Sequence, residues 1–117
     1  MVTWTPETPI YRQLRDRTVA MILDGALRPG DPLPSVRQVA ADLQVNPLTV
    51  SKAYQMLTEE GVAEKRRGLG LFVTDIAPVA LLAAERAQFI EHEWPLLRAR
   101  LDRLHLDPAT LWSKETP

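Results

Sequence analysis

Residues Leu33–Val73 read LPSVRQVAADLQVNPLTVSKAYQMLTEEGVAEKRRGLGLFV, and the fold is decided here. Ser35 followed three residues later by Gln38 has the form of a capping box, in which each side chain satisfies the other's free backbone N–H. Val36, Val39, Ala40 and Leu43 then recur at i, i+3, i+4 and i+7, one apolar face of a short helix ending around Leu43–Gln44. Asn46-Pro47 opens a second helix, with Asn as cap and Pro in the first turn, where a missing N–H costs nothing. Val50, Ala53, Tyr54 and Leu57 form its buried stripe, while Leu48, Ser51, Lys52 and Gln55 face away. So short a connection forces the two helices to cross steeply. Gly61 stops the second helix. Val62–Lys65 and Leu71–Thr74 then read as strands joined by Arg66 to Gly70. Helix, turn, helix and basic hairpin is the order of a winged helix-turn-helix.

Working outward, Thr8-Pro9 predicts the start of an earlier helix, with Thr8 as cap, a face of Ile10, Leu14, Met21 and Ile22, and Tyr11 and Thr18 beside it. That helix is expected to end near Asp24, before the loop signal Arg28-Pro29-Gly30-Asp31, and Leu27 and Leu33 to fold back onto the core. Asp75 to Pro78 reads as a linker. Beyond it Ala83, Ala87, Ile90, Trp94, Leu97, Leu101 and Leu104 are spaced 4, 3, 4, 3, 4, 3, which describes a seam for a partner helix. Pro95 interrupts this segment and predicts a kink near Glu91–Trp94. Asp107-Pro108 caps a last helix from Ala109 to about Ser113. The expected fold class is mainly α with a small β-hairpin: a winged helix-turn-helix domain over residues 1–75 and a helical dimerisation segment over 76–117. A tail this short cannot enclose a large core by itself.

Composition narrows the function classes. The 117 residues are 45% hydrophobic and 25% charged, an ordinary globular balance. Cysteine is absent, so no disulfide framework or thiolate metal site is expected. No apolar run has bilayer-spanning length and the N-terminus lacks a signal-peptide pattern, so the chain reads as cytoplasmic, without a membrane partner. A net charge of −1 does not by itself point to nucleic acid. Residues 1–74 carry nine Lys/Arg against eight Asp/Glu, and residues 75–117 five against seven. The signal is local instead: Arg37, Lys52, Lys65, Arg66 and Arg67 all fall in the opening stretch, and a focused patch can attract phosphate while the remaining surface stays acidic.

A helix fits the DNA major groove with its N-terminal residues against base edges. Here those residues are Asn46, Pro47, Leu48, Thr49, Ser51 and Lys52, with Gln55 one turn on. Thr49 and Ser51 can bond phosphate or bases, and Leu48 can touch a thymine methyl. Ser35 and Arg37 stand at the start of the preceding helix. A cationic tip of Lys65, Arg66 and Arg67, with Gly68 and Gly70 allowing close backbone approach, suits a phosphate backbone or the minor groove. A solvated helix face and a solvated turn would show the same residues.

Taken together, LPSVRQVAADLQVNPLTVSKAYQMLTEEGVAEKRRGLGLFV and the upstream PIYRQLRDRTVAMILDGALRPGDPLPS resemble the DNA-binding domain of GntR-family bacterial transcription regulators. The short helical tail and NPLTVSKAY resemble the YtrA subfamily in particular. The resemblance implies a homodimer on a two-fold double-stranded operator, usually repressing. It also implies DNA contacts from Arg37, from Asn46, Leu48, Thr49 and Ser51 with Lys52 alongside, and from the wing-tip pair Arg67-Gly68. Leu48 stands where the family often has a polar residue, and Leu71 where it often has Thr. A small-molecule effector, of unidentified chemistry, would have Phe89, Trp94 or Trp112 between the tail helices to meet it.

Rival readings are weaker. His92 and His105 both lie on the tail, and the consecutive Glu91-His92-Glu93 do not converge on one helix face as metal ligands must. Gly68-x-Gly70 lacks the following helix of a dinucleotide fingerprint. No enzyme activity, metal or cofactor is expected. The remaining alternative is a winged helix that contacts protein or RNA without operator specificity.

Overall fold

The computed structural model describes residues 3–114; the outermost residues of the two expected domains, 1–2 and 115–117, lie outside it. Helix α1 spans Ile10–Leu23, α2 Val36–Leu43 and α3 Pro47–Glu59. Strands β1, Ala63–Arg66, and β2, Gly70–Val73, follow, then α4, Ala77–Gln88. A π-helical turn, Phe89–Glu93, leads into α5, Trp94–Arg103, and α6 spans Pro108–Lys114. Two compact units divide the chain, Met1–Leu82 and Ala83–Pro117.

In the first unit, α1 starts one residue later than its Thr-Pro signal. Pro9, not Thr8, holds the cap position, with an extended ψ of 144° and no side-chain cap bond. The Gln13 amide does the tying instead: it accepts from the Thr5 N–H at 2.9 Å and donates to the Thr5 and Thr8 carbonyls at 2.8 and 2.6 Å. The buried face is Leu14, Thr18, Val19 and Ile22, whereas Ile10 and Met21, expected inside, stay more than a third exposed. Thr18 is tolerated there because its hydroxyl donates to the Leu14 carbonyl at 3.0 Å.

The cap residues of the next two helices are as read, but of the reciprocal Ser35–Gln38 box only the Ser35 half forms among the described residues. The Gln38 N–H donates to Ser35 Oγ at 3.1 Å, and the Leu48 N–H to Asn46 Oδ1 at 2.8 Å. Between them Gln44 takes a left-handed φ of 56°, which reverses the chain in very few residues. Val50, Ala53, Tyr54 and Leu57 are all buried, forming the stripe that packs α3 on α1 and α2. Arg15 of α1 forms a forked pair with Glu60 at the end of α3, its Nε 3.0 Å from Glu60 Oε2. Gly61, at φ +77°, turns the chain into the hairpin.

The hairpin is antiparallel with Ala63 opposite Val73 and Arg66 opposite Gly70, one residue later in β1 and one earlier in β2 than expected. The loop before α2 lies along β2's other edge. Gly30 N–H reaches the Val73 carbonyl at 2.8 Å, Val73 N–H the Asp31 carbonyl at 2.9 Å, and Leu33 N–H the Leu71 carbonyl at 2.8 Å. These bonds fix the wing against the start of α2. The stretch Asp75–Pro78, expected as linker, already contains the start of α4. Proline is harmless in a helix's first turn, and Ala77 and Leu81 are buried in this unit's core at 0% and 2% exposure. The first unit therefore runs to Leu82, beyond the expected division at residue 75.

In the second unit, Pro95's interruption takes the form of the π turn: the Trp94 N–H donates to the Phe89 carbonyl, five residues back. Proline's ring would meet the carbonyl four residues before it in a regular α-helix, and the wider turn removes that clash. The Ala109 N–H donates to Asp107 Oδ1 at 3.0 Å, capping α6. Among residues 83–113 no residue is buried.

Candidate nucleic-acid interface

Caps consume two of the side chains expected at DNA. Ser35 Oγ and Asn46 Oδ1 each accept a backbone N–H of their own helix, so they shape the ends of α2 and α3. Pro47 sits in the first turn of α3. Leu48, 75% exposed, projects from that turn with Thr49 beside it. Ser51 and Gln55 line one groove with Lys65, Gly70 and Leu71, so the structure brings the outer face of α3 and the wing together.

The period-two geometry of the strand sorts the three basic residues of the tip. Lys65 pairs with Leu71 and shares its face with buried Ala63 and Val73, toward α3. Arg66 lies on the opposite face with Glu64 and Phe72. Its guanidinium carbon is 4.3 Å from the Phe72 ring centre, and Nη2 is 3.4 Å from Glu64 Oε1. Arg67 lies in the turn, closed by the Leu69 N–H on the Arg66 carbonyl at 2.8 Å, with Gly68 at φ +76°. Lys52 Nζ sits 4.1 Å from the centre of the Tyr11 ring, a cation–π contact with the start of α1. Arg37, Lys65 and Arg67 are exposed and form no ion pair among the described residues.

Three residues of this surface were not singled out for it from the sequence. Tyr11 holds Lys52, and Phe72 holds Arg66; the alternation of a strand puts residues 64, 66, 70 and 72 on one face and would have revealed the second. Tyr54 was read only as core. Its hydroxyl donates to the Pro34 carbonyl at 2.7 Å, tying α3 to the residue that precedes the α2 cap. Burial of that hydroxyl pushes its pKa up to about 12.

The depression at Phe89 does not include Trp94 or Trp112, the other aromatics expected to line an effector site. Phe89 lines a shallow depression with Glu85, Arg86 and Ile90, all from successive turns of one helix. A cleft of about 260 Å³ lies instead in the first unit, among Leu14, Thr18 and Met21 of α1, Val39 and Leu43 of α2, and Tyr54.

Residues 10–73, more than half of the chain, match the family described as "Bacterial regulatory proteins, gntR family". The chain belongs to the GntR family. It is 36% identical over 109 residues to the HTH-type transcriptional repressor YtrA of Bacillus subtilis (strain 168), covering 92% of this chain and 84% of that protein. The fold is similar to that of a GntR family transcriptional regulator from Listeria monocytogenes, with TM-score 0.77 and 27% identity over 97% of this chain and 100% of that one. It is also similar to YtrA from Sulfolobus acidocaldarius, a GntR-family transcription factor, with TM-score 0.62 and 32% identity over 89% and 94% of the two chains. This GntR-family chain is a mainly helical winged helix-turn-helix protein with a C-terminal helical segment. Its homologues are transcriptional regulators, and among the described residues no helix is long and apolar enough to cross a membrane.

Proposed function

We propose that this protein represses transcription in the cytoplasm by binding a two-fold DNA operator as a homodimer. The first turn of α3 enters the major groove, and the wing lies along the adjacent backbone. The supporting observation is the groove shared by Ser51 and Gln55 of α3 with Lys65 and Gly70 of the wing, flanked by unpaired Arg37 and Arg67. Leu48 and Thr49 read base edges; Arg37, Lys65 and Arg67 contact phosphate; Ser35 and Asn46 hold the first turns of α2 and α3 at the DNA by capping them. Lys52 and Arg66 contribute charge from fixed positions, over Tyr11 and Phe72.

The test is binding to an inverted repeat upstream of the gene, followed by fluorescence anisotropy against salt. Three phosphate-seeking cations per copy, doubled, give a slope of log affinity on log salt of roughly −5. Arg67→Ala should reduce that slope by about 2, one phosphate per copy, and Arg66→Ala by distinctly less. Equal affinity for every duplex, or a flat salt response, refutes operator recognition and leaves a protein- or RNA-contacting winged helix.

A further inference from the structure

Helices α1 and α2 both pack on α3 but make little direct contact with each other. Two helices laid on a third in this way leave a wedge between them, and here the wedge is the cleft of about 260 Å³. Its floor includes Leu27 and the Tyr54 ring, both buried. Leu14 and Met21 line the α1 wall, and Val39 and Leu43 the α2 wall. Small-molecule sites have this make-up, an apolar hollow on which a few polar groups converge.

The polar groups here are Arg17 on the α1 wall and Gln38 and Asp42 on the α2 wall. Arg17 is three residues after Leu14 and four before Met21, and Asp42 is four after Gln38. That spacing puts each of them on the cleft face of its own helix. Elsewhere in this unit Arg15 is paired with Asp16 and Glu60, and Arg66 with Glu64. The side chains of Arg17, Gln38 and Asp42 make no hydrogen bond or ion pair among the described residues. A cation and an anion thus border one cleft from opposite walls without neutralising each other.

We propose that this cleft binds a small zwitterion with an apolar body, of the class of a free α-amino acid with a branched or aromatic side chain. The ligand's carboxylate meets the Arg17 guanidinium, whose paired N–H donors suit it. Its ammonium meets the Asp42 carboxylate with the Gln38 amide oxygen alongside, and its side chain lies on Leu27 and Tyr54. A purely anionic ligand would face Asp42 unmatched, and a purely cationic one Arg17. An uncharged apolar molecule would strip water from both charges and return nothing to them.

Occupancy reaches the nucleic-acid interface by a short route. The Tyr54 hydroxyl holds the carbonyl of Pro34 at 2.7 Å, and Pro34, which also lines the cleft, precedes the Ser35 cap of α2. Arg37 adjoins Gln38 in the first turn of that helix. Filling the wedge bears on the helix that carries Arg37, so operator and zwitterion change each other's affinity by the same factor. This coupling rests on the operator reading above; the cleft as a binding site does not.

Methyl NMR of the full chain, titrated with L-leucine and with L-phenylalanine, tests the site. Both should give saturable shifts at Leu14, Leu27, Val39 and Leu43 and leave Leu97 and Leu101 in place. Isocaproic acid and isoamylamine, each leucine less one charge, should bind about fivefold more weakly, the loss expected for one exposed ion pair. Arg17→Gln should weaken leucine by a similar factor and leave isoamylamine unchanged; Asp42→Asn should weaken leucine and leave isocaproic acid unchanged. Both residues are exposed, so neither substitution threatens the fold. No saturable shift with either amino acid, or shifts only outside the cleft, overturns the site. Isocaproic acid or isoamylamine binding as tightly as leucine overturns the zwitterion class. Fluorescence anisotropy on the operator, with and without saturating leucine, reads the coupling: a shifted affinity supports it, and an unchanged one overturns the coupling alone. A chain that binds no operator overturns the operator reading, while the methyl titration still decides the cleft.

Discussion

Tyr54 shows how one side chain serves both core and surface. Its ring is buried in the α3 stripe, and its hydroxyl anchors Pro34, next to the Ser35 cap and two residues before Arg37's own neighbour Val36. Tyr54→Phe keeps the ring and should cost about 1 kcal/mol at neutral pH, the net worth of one hydrogen bond. The alkaline behaviour follows from its raised pKa. The folded state keeps the proton to about pH 12, whereas an unfolded tyrosine loses it near 10. The stabilisation is thus complete below pH 10 and lost between 10 and about 12, by up to roughly 1.4 kcal/mol per pH unit. Denaturant melts across that range should show wild type falling toward and then below Tyr54→Phe, because the loss on ionisation exceeds the worth of one hydrogen bond; parallel curves would contradict the buried hydroxyl. At this scale the sequence was a partial guide. Helical spacing places Tyr54 inside, but nothing in spacing says where its hydroxyl points. The run Lys65-Arg66-Arg67 looks uniform until strand alternation sends Lys65 toward α3 and Arg66 onto Phe72.

Among the elements, the ones with chemical punctuation were legible. Ser35, Asn46-Pro47, Gly61 and Asp107-Pro108 mark ends that local hydrogen bonds or backbone angles enforce, and the structure uses each of them. The less legible boundaries involve proline, because the same residue starts, bends or ends a helix according to what surrounds it. Thr8-Pro9 and Asp75–Pro78 differ from expectation for that reason; burial of Ala77 and Leu81, a tertiary effect, draws α4 back over the supposed linker. At Pro95 the outcome is a π turn. Pro95→Ala supplies the missing N–H and removes the ring, so the turn should relax to α-helix. The Trp94 N–H then moves from the Phe89 to the Ile90 carbonyl, detectable by amide NMR as a loss of the π-turn shifts with a rise in helical ellipticity. An unchanged Trp94 bond would mean that the π turn has another cause.

The whole chain is built from parts of different self-sufficiency. Every buried hydrophobic residue among those described lies between Leu14 and Leu81. A fragment of residues 1–82 should therefore keep its cooperative thermal unfolding, checked by calorimetry, while its affinity for a two-fold operator falls by about a hundredfold, the lower end of the gain from linking two sites. An equally tight fragment would remove the tail from DNA binding. The uncovered tail also makes abundance a physical variable. Under the homodimer proposed above the tail is completed by another copy and stabilised by mass action, so raising the protein's concentration should raise the melting temperature of the tail and leave that of the first unit unchanged. At low abundance, occupancy of a two-fold operator grows with the square of free protein. Repression would then engage over a narrow span of expression level, with the protein's own dosage as the input.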